Sequence, residues 1–263
     1  MLVRMQNKVI VVTGASSGIG AVLGEQLGAR GARVVLVARR ERELRELAAK
    51  IGERASVCVA DVTQRAAVEG VVRDTLEQLG QLDVWVNNAG RGISRLVSEL
   101  SDTDFDDMML INVKSALYGM QAVLPHFRAQ GRGHIINVSS MLGRVPMAPF
   151  RSAYSAAKHA LNALTANLRM ELSAYPEIRV SAIHPGVVAT DFGRNALHGG
   201  VDSRSLPSAQ TPQEVAAVIV ETIERPRADV YTRPGAQQMV ASYYAAEDMG
   251  EAERKPPFQL PAR

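Results

Sequence analysis

Val9-Ile10-Val11-Val12-Thr13-Gly14-Ala15-Ser16-Ser17-Gly18-Ile19-Gly20 decides how this chain folds. Four consecutive β-branched apolar residues suit a strand buried on both faces. Three glycines follow at once. Then comes a helix-like stretch, Ile19 to about Arg30, with Leu23 and Leu27 one turn apart. Glycine permits positive φ and close approach of a backbone to a ligand. A helix N-terminus offers free N–H groups to a pyrophosphate. The spacing Gly-x-x-x-Gly-x-Gly differs from the commoner Gly-x-Gly-x-x-Gly. A strand before it and a helix after it still favour nucleotide binding over a turn that serves packing alone.

The same alternation continues outward. Strand-like runs recur at Arg33 to Val37, Ser56 to Ala60, Asp83 to Val86, His134 to Val138 and Val180 to Ile183, with Val230 to Thr232 as a short last strand. Between them lie helical stretches at Arg39 to Lys50, Ala66 to Leu79, Ser101 to Phe127 (one long helix or two), Ser152 to Ala174 and Thr211 to Ile223. Ser101 with Asp104 resembles a capping box, and Pro212 suits a first helical turn. Strands alternating with helices of ten or more residues predict one doubly wound α/β domain over 1–263, a parallel sheet of about seven strands with helices on both faces. Ligands of such sheets bind at the carboxyl ends of the strands. Gly14, Arg39, Asp61, Asn88, Ser140 and Pro185 stand there. The polar stretch within 187–209 has the composition of a substrate lid, and 250–263 that of a disordered tail.

Bulk composition narrows the function. The charge of +3 comes from 30 basic and 27 acidic residues, interspersed, which is no nucleic-acid footprint. Cys58 is the single cysteine, so no intrachain disulfide forms and a reducing compartment is the simpler reading. No run approaches the ~18 apolar residues of a membrane span, and the N-terminal residues lack a signal-like apolar stretch. A soluble cytoplasmic protein is expected. The five histidines are scattered without ligand spacing, so no metal site is expected.

Two further constellations carry chemistry. Tyr154 and Lys158 stand one turn apart on one helical face, downstream of Ser139-Ser140 at the end of an apolar strand. A phenol has pKa ~10, and a cation one turn away favours its phenolate. At the end of the second strand, Ala38-Arg39-Arg40 holds no carboxylate to bind both ribose hydroxyls of NAD; an arginine there suits a 2′-phosphate and favours NADP(H) over NAD(H).

Taken together, Thr13-Gly14-x-x-x-Gly18-Ile19-Gly20, Asn87-Asn88-Ala89-Gly90, Asn112, Ser140, Tyr154-x-x-x-Lys158 and Pro185-Gly186 occur in the order of the short-chain dehydrogenase/reductase family, which the chain resembles from Lys8 to about Ile223. The resemblance implies a Rossmann-like fold and an NADP(H)-dependent oxidoreductase interconverting a carbonyl and an alcohol. It implies Tyr154 as general acid or base. Lys158 would lower the phenol pKa and hold the nicotinamide ribose. Ser140 would hydrogen-bond the substrate oxygen, and Asn112 would anchor a water in a proton relay. For the cofactor it implies Ser16, Ser17 and Ile19 at the phosphates, and Asp61 and Val62 at the adenine. Asn88, Ala89 and Gly90 would line the adenine ribose and nicotinamide side, with Pro185, Gly186, Val188 and Thr190 at the carboxamide. Assembly as a homodimer or homotetramer through the long helices is implied as well.

One departure stands out. The family usually has 12 residues between its serine and tyrosine; 13 separate Ser140 from Tyr154. Met141 cannot supply a hydroxyl, which leaves Ser140 as the candidate and Ser139 as the alternative on the opposite face of the strand. The apolar wall of Val145, Pro146, Met147 and Phe150 favours a hydrophobic small-molecule substrate. Two other readings remain: an epimerase or dehydratase relative, and a nucleotide-sensing protein without turnover.

Overall fold

The structure, a computed structural model, describes residues 5–255. Its centre is a seven-stranded parallel sheet in the order β3-β2-β1-β4-β5-β6-β7. The strands are β1 (Val9–Thr13), β2 (Arg33–Ala38), β3 (Ala55–Val59), β4 (Val84–Asn87), β5 (Gly133–Val138), β6 (Ile178–His184) and β7 (Asp229–Tyr231). The helices are α1 (Gly18–Ala29), α2 (Glu41–Ile51), α3 (Arg65–Leu79), α4 (Asp102–Met109), α5 (Ser115–Gln130), α6 (Ser152–Glu171), α7 (Pro212–Glu224), α8 (Ala236–Tyr244) and α9 (Met249–Glu253). α9 occupies the start of the expected disordered tail and corrects that expectation there; 256–263 lie outside the described residues.

The period-two alternation of a strand assigns each side chain of β1 to a layer. Ile10 and Val12 pack with Leu23, Leu27, Leu44 and Ile219, beneath α1, α2 and α7. Val9 and Val11 pack with Val68, Val72, Val123 and Leu161, beneath α3, α5 and α6. Every residue of β1 is buried, which explains the unbroken apolar run. The edge strand β3 is only half-buried, and Cys58 with it. Leu161 and Leu168 of α6 and Leu172 just after it are buried in this second layer, with Leu164 partly buried against it.

The stretch 101–130 is neither one helix nor two separate ones. α4 and α5 are joined through one π-helical turn, Leu110–Lys114, which contains Asn112. Ser101 and Asp104 form the expected capping box: Asp104 N–H donates to Ser101 Oγ at 3.1 Å and Ser101 N–H to Asp104 Oδ2 at 3.3 Å. Asp104 also lies 2.7 Å from His198 Nε2, so one carboxylate caps a helix and holds a distant segment.

Two polar clusters pin the sheet. In the first, Trp85 Nε1 donates to Asn87 Oδ1 (2.6 Å), Asn87 Nδ2 to Asn137 Oδ1 (2.8 Å), and Asn137 Nδ2 to Thr165 Oγ1 (2.8 Å). The chain runs through the interior from β4 to α6, and Asn137 and Thr165 are fully buried. Gly119 makes room for it, because a Cβ there would lie 2.3 Å from Trp85 Nε1. The second joins β6, β7 and α6. Asp229 pairs with Arg144, with Arg169 at 3.0 Å and with His184 Nε2 at 3.0 Å. The His184 hydrogen bond, then the Arg144 and Arg169 cations, hold the Asp229 carboxyl down at about 2.

Thr165→Val leaves the Asn137 amide without its hydroxyl acceptor and is expected to destabilise by about 1–3 kcal/mol. Thr165→Ser should lose much less; equal urea midpoints for the two variants would refute the network. Asp229→Asn tests the second cluster. A carboxyl held below its unfolded value of about 4 stabilises the fold at neutral pH and loses that increment as pH falls toward 2. The urea-derived gap between wild type and Asp229→Asn should therefore be about 2 kcal/mol at pH 7 and shrink steadily between pH 5 and pH 3. A gap that does not change with pH contradicts the assignment.

Candidate active site

The crevice at the carboxyl edge begins with Thr13. Its hydroxyl donates to Val86 O (3.1 Å) and accepts the N–H groups of Asn88 (2.9 Å) and Ala89 (3.1 Å). Asn88 Nδ2 returns to Thr13 O at 2.9 Å and Gly14 O at 3.3 Å. The loops after β1 and β4 are thereby bolted together. Gly14 has φ +67°, and a Cβ on it would lie 2.9 Å from Ala89 Cα. At Gly20 a Cβ would lie 2.4 Å from Gly14 O. Ser17, at the N-cap of α1, places no side chain on the first-turn N–H groups. These N–H groups, behind a turn that tolerates no Cβ, fit a pyrophosphate.

Arg40 folds over that turn. Its Nε and Nη2 donate to Ser16 Oγ at 3.1 and 2.9 Å, and Nη2 to Ser17 Oγ at 2.7 Å. Arg39 is exposed and only 4.0 Å at closest from Asp61. Asp61 accepts from Thr63 N and Oγ1, and Val62 beside it is buried. At the other end of the crevice, Pro185 O accepts Met141 N–H at 2.8 Å and Val188 bridges to Gln210. A Cβ on Gly18 would lie 3.2 Å from Thr190 Cγ2, so the glycine turn meets the 185–190 segment. Contacts thus link the glycine turn to Arg40, to residues 88–89 and to Thr190 along the carboxyl edge of the sheet, with Arg39 and Asp61 beside them.

Tyr154 and Lys158 face its middle. Lys158 is 3% exposed, and its Nζ donates to Val138 O at 2.9 Å and lies 5.6 Å from the Tyr154 ring centroid. Burial pushes the ammonium down to about 8. Ser140, not Ser139, is the serine whose hydroxyl lowers the Tyr154 phenol. Ser140 Oγ also accepts Leu142 N–H at 3.1 Å, while Ser139 Oγ points to Lys158 O at 3.5 Å. The turn after Ser140 is pressed onto α6: Asn162 Nδ2 donates to Gly143 O (2.7 Å) and Ser155 Oγ to Leu142 O (2.6 Å). Beyond this turn Pro146 and Phe150 reach the surface.

The phenol departs from expectation. Lys158 was expected to draw its pKa down; burial instead pushes it up to about 12, against lowering by the Ser140 hydrogen bond and the Arg151 cation. Desolvation outweighs an ammonium whose hydrogen bond goes to a backbone carbonyl. Asn112 also differs. Its Nδ2 donates to Arg91 O (2.9 Å) and Met108 O (3.1 Å), and its Oδ1 accepts Arg91 N–H (3.2 Å). The side chain clamps the loop after β4 to α4 through the π turn. A Cβ at Gly90 would lie 2.8 Å from Asn112 Oδ1 and 3.7 Å from Lys158 Nζ, so only glycine fits between them.

A segment over 191–205 covers this constellation. The Phe192 ring meets Tyr154 edge-on at 5.4 Å. Leu197 N–H donates to Gly92 O and Ser94 N–H to Leu197 O, a short parallel bridge onto the 91–95 loop. Within the segment, Asp191 and Asp202 bind Arg194 and Arg204. Sequence reasoning missed Arg151, the N-cap residue of α6, whose Nη1 donates to Ile93 O at 3.0 Å. It also missed His184, which takes part through the backbone of Ser140; forty-five residues separate it from Asp229 and no spacing links them. Among the described residues no cluster of ligating side chains could hold a metal, and no helix is long and apolar enough to cross a membrane.

The short chain dehydrogenase family model matches residues 8–199. An uncharacterized oxidoreductase of Staphylococcus epidermidis is 37% identical over 198 residues, 73% of this chain and 85% of that protein. Another, from Staphylococcus saprophyticus, is 37% identical over 229 residues, 86% of this chain and 94% of that one. Among solved structures, a short chain dehydrogenase/reductase of Burkholderia phymatum in complex with NAD has TM-score 0.87 at 25% identity, covering 99% of this chain and 100% of that one. One from Burkholderia cenocepacia in complex with NADP has TM-score 0.82 at 26% identity, covering 98% and 100%. With a glycine turn after β1 and a buried tyrosine and lysine on α6 to match, this chain belongs to the short-chain dehydrogenase/reductase family of oxidoreductases.

Proposed function

We propose that the protein is an NADP(H)-dependent oxidoreductase that interconverts a carbonyl and an alcohol, with Tyr154, Ser140 and Lys158 as its catalytic residues. The observation that carries this reading is the convergence of a buried phenol, its serine partner and a buried ammonium beside a dinucleotide cradle. The nicotinamide cofactor supplies or accepts the hydride when bound. The chain's own residues handle the proton and the charge. As a carbonyl oxygen gains negative charge, the hydroxyls of Ser140 and Tyr154 hydrogen-bond it. Tyr154 gives up its proton to that oxygen. A phenol at about 12 is fully protonated at neutral pH, which suits the reductive direction. The Lys158 ammonium stabilises the phenolate left behind, and Asn112 holds the Gly90–Arg91 loop in place over it.

For the cofactor, Ser16, Ser17, Gly18 and Ile19 meet the phosphates, Asp61 and Val62 the adenine, and Pro185 to Thr190 the nicotinamide side. Arg40, already resting on Ser16 and Ser17, with exposed Arg39, would hold a 2′-phosphate. Segment 187–209 acts as the lid, and 1–263 is one domain. Phe105 on α4 and Met170 on α6, 43% and 65% exposed, support assembly as a homodimer or homotetramer through the long helices. A cytoplasmic location fits the single free cysteine.

Tyr154→Phe should lower the rate of NADPH-dependent carbonyl reduction by about 10²–10⁴-fold while NADPH still binds in a fluorescence titration; full turnover by the variant would sink the acid assignment. In wild type, reductive kcat/KM should be level below pH 8 and fall above it. Lys158, held at about 8, is protonated below that value and neutral above it. Arg40→Ala should weaken NADPH by about 10–100-fold, the worth of a charge-assisted hydrogen bond, and NADH far less. Equal loss for both cofactors would remove the 2′-phosphate from the proposal.

A further inference from the structure

Three guanidinium groups stand on the segments packed around Tyr154. Arg151 is three residues upstream of it. Arg95 is bridged to Arg151 through the backbone, with Arg95 N–H donating to Phe150 O at 2.8 Å. Arg91 follows Gly90 directly and is held by Asn112. Among the described residues none of the three has a carboxylate within ion-pair distance; their side chains reach Ile93 O, His198 Nδ1 and Asn195 O instead. Their neighbours on the covering segment contrast with them. Arg194 and Arg204 are both consumed by Asp191 and Asp202.

Arg151 is the most informative of the three. A Cβ on Gly92 would lie 2.8 Å from its Nη1, and one on Gly200 would lie 3.1 Å from its Nη2. Its guanidinium therefore sits in a slot between two glycines, one before the apolar residue Ile93 and one on the covering segment. It is close enough to Tyr154 for each to bias the other's titration. The guanidinium has the Phe150 ring 5.4 Å away over its face and one carbonyl acceptor for five N–H donors, which leaves hydrogen-bonding capacity that an anion can take up. A carboxylate does so in bidentate fashion. Around the phenol itself the walls are apolar: Ile93, Met108, Leu142, Phe192 and Leu197 cluster with Tyr154.

We propose that the substrate is an oxo acid (or the matching hydroxy acid): an apolar body seated against Phe192, Leu142 and Leu197, carrying a carboxylate that Arg151 binds and that Arg91 and Arg95 attract at the rim. This deepens the oxidoreductase reading and rests on it for the carbonyl. It also amends the expectation of a purely hydrophobic substrate, which came from the composition of 145–150 alone.

The test is a calorimetric titration of the protein with NADPH bound. Its probes are straight-chain carboxylates from butyrate to octanoate and their primary amides, which share the shape and lack the charge. Wild type should bind the acids about tenfold or more tightly than the amides, the usual discrimination of a site built for one polar group. Arg151→Met should bring that ratio close to one, and Arg151→Lys should keep part of it. Arg91→Met and Arg95→Met should each lower it by a smaller factor. A role in shape alone would weaken acids and amides together. Amides binding as tightly as acids in wild type overturns the proposal, as does an Arg151→Met variant that loses both equally or no acid binding at millimolar concentration. Because wild type alone decides the first comparison, a variant that fails to fold does not blunt it. The titration needs no turnover. Failure of the oxidoreductase reading would show separately, as no NADPH oxidation with any neutral or acidic carbonyl.

Discussion

The ammonium of Lys158 is the constraint around which the site is built. It is 3% exposed, has no carboxylate partner among the described residues, and donates to one backbone carbonyl, Val138 O, at the end of β5. Burying a cation without a counter-charge opposes folding by several kcal/mol. The surrounding structure must hold it in place. Gly90 has no Cβ because one would press on Asn112 Oδ1 and approach the ammonium. Gly143 likewise packs against Lys158 O, where a Cβ would come to 2.8 Å. The Ser140 turn, the π-helical turn and the first turns of α6 together enclose this one charge. Strain of this kind persists only where the rest of the fold over-determines it.

That over-determination comes from the sheet. Alternate residues of the central strands feed two separate apolar layers, so a strand that slipped by one residue would trade every side chain between two differently shaped layers. The Trp85–Asn87–Asn137–Thr165 chain then ties the sheet to α6 with directional bonds. Packing fixes the layer spacing, while hydrogen bonds fix the rotation of α6, on which both Tyr154 and Lys158 ride. Asp229, with Arg144, Arg169 and His184, does the same for the turn that carries Ser140.

Much of this was legible in the chain alone, for identifiable reasons. β1 reads as a strand because both its faces are buried and every position must be apolar. The helix start at Ser101 read correctly because its capping partner lies three residues away, and the one at Thr211 because Pro212 suits a first turn; the Glu214 that completes its capping box went unread. The π turn did not read, since nothing in Leu110 to Lys114 marks an extra residue per turn; it arises where the Asn112 side chain takes the Met108 carbonyl. The choice of Ser140 over Ser139 needed the strand's orientation against α6. The pKa of Tyr154 needed its solvent exposure, because helical spacing reports how near Lys158 is and says nothing about how much water is left. Arg151 escaped notice because its slot is made by Gly92 and Gly200, about sixty and fifty residues away in sequence.

The position of the 191–205 segment and the acidity of Tyr154 are one physical quantity seen twice. Desolvation is the leading cause of the raised phenol, and Phe192 on that segment is the ring packed against it. A cover that excludes water also keeps the proton on the acid until a developing oxyanion can take it. The lowering influences, the Ser140 hydroxyl and the Arg151 cation, lie on the side where the substrate oxygen and its carboxylate are proposed to bind. Neutralising Arg151 with a bound carboxylate would withdraw the cation that favours the phenolate. The phenol would then hold its proton more firmly in the complex than in the free protein. Substrate charge, cover and acid strength all bear on the same hydroxyl, which suits a site that starts its cycle by donating a proton.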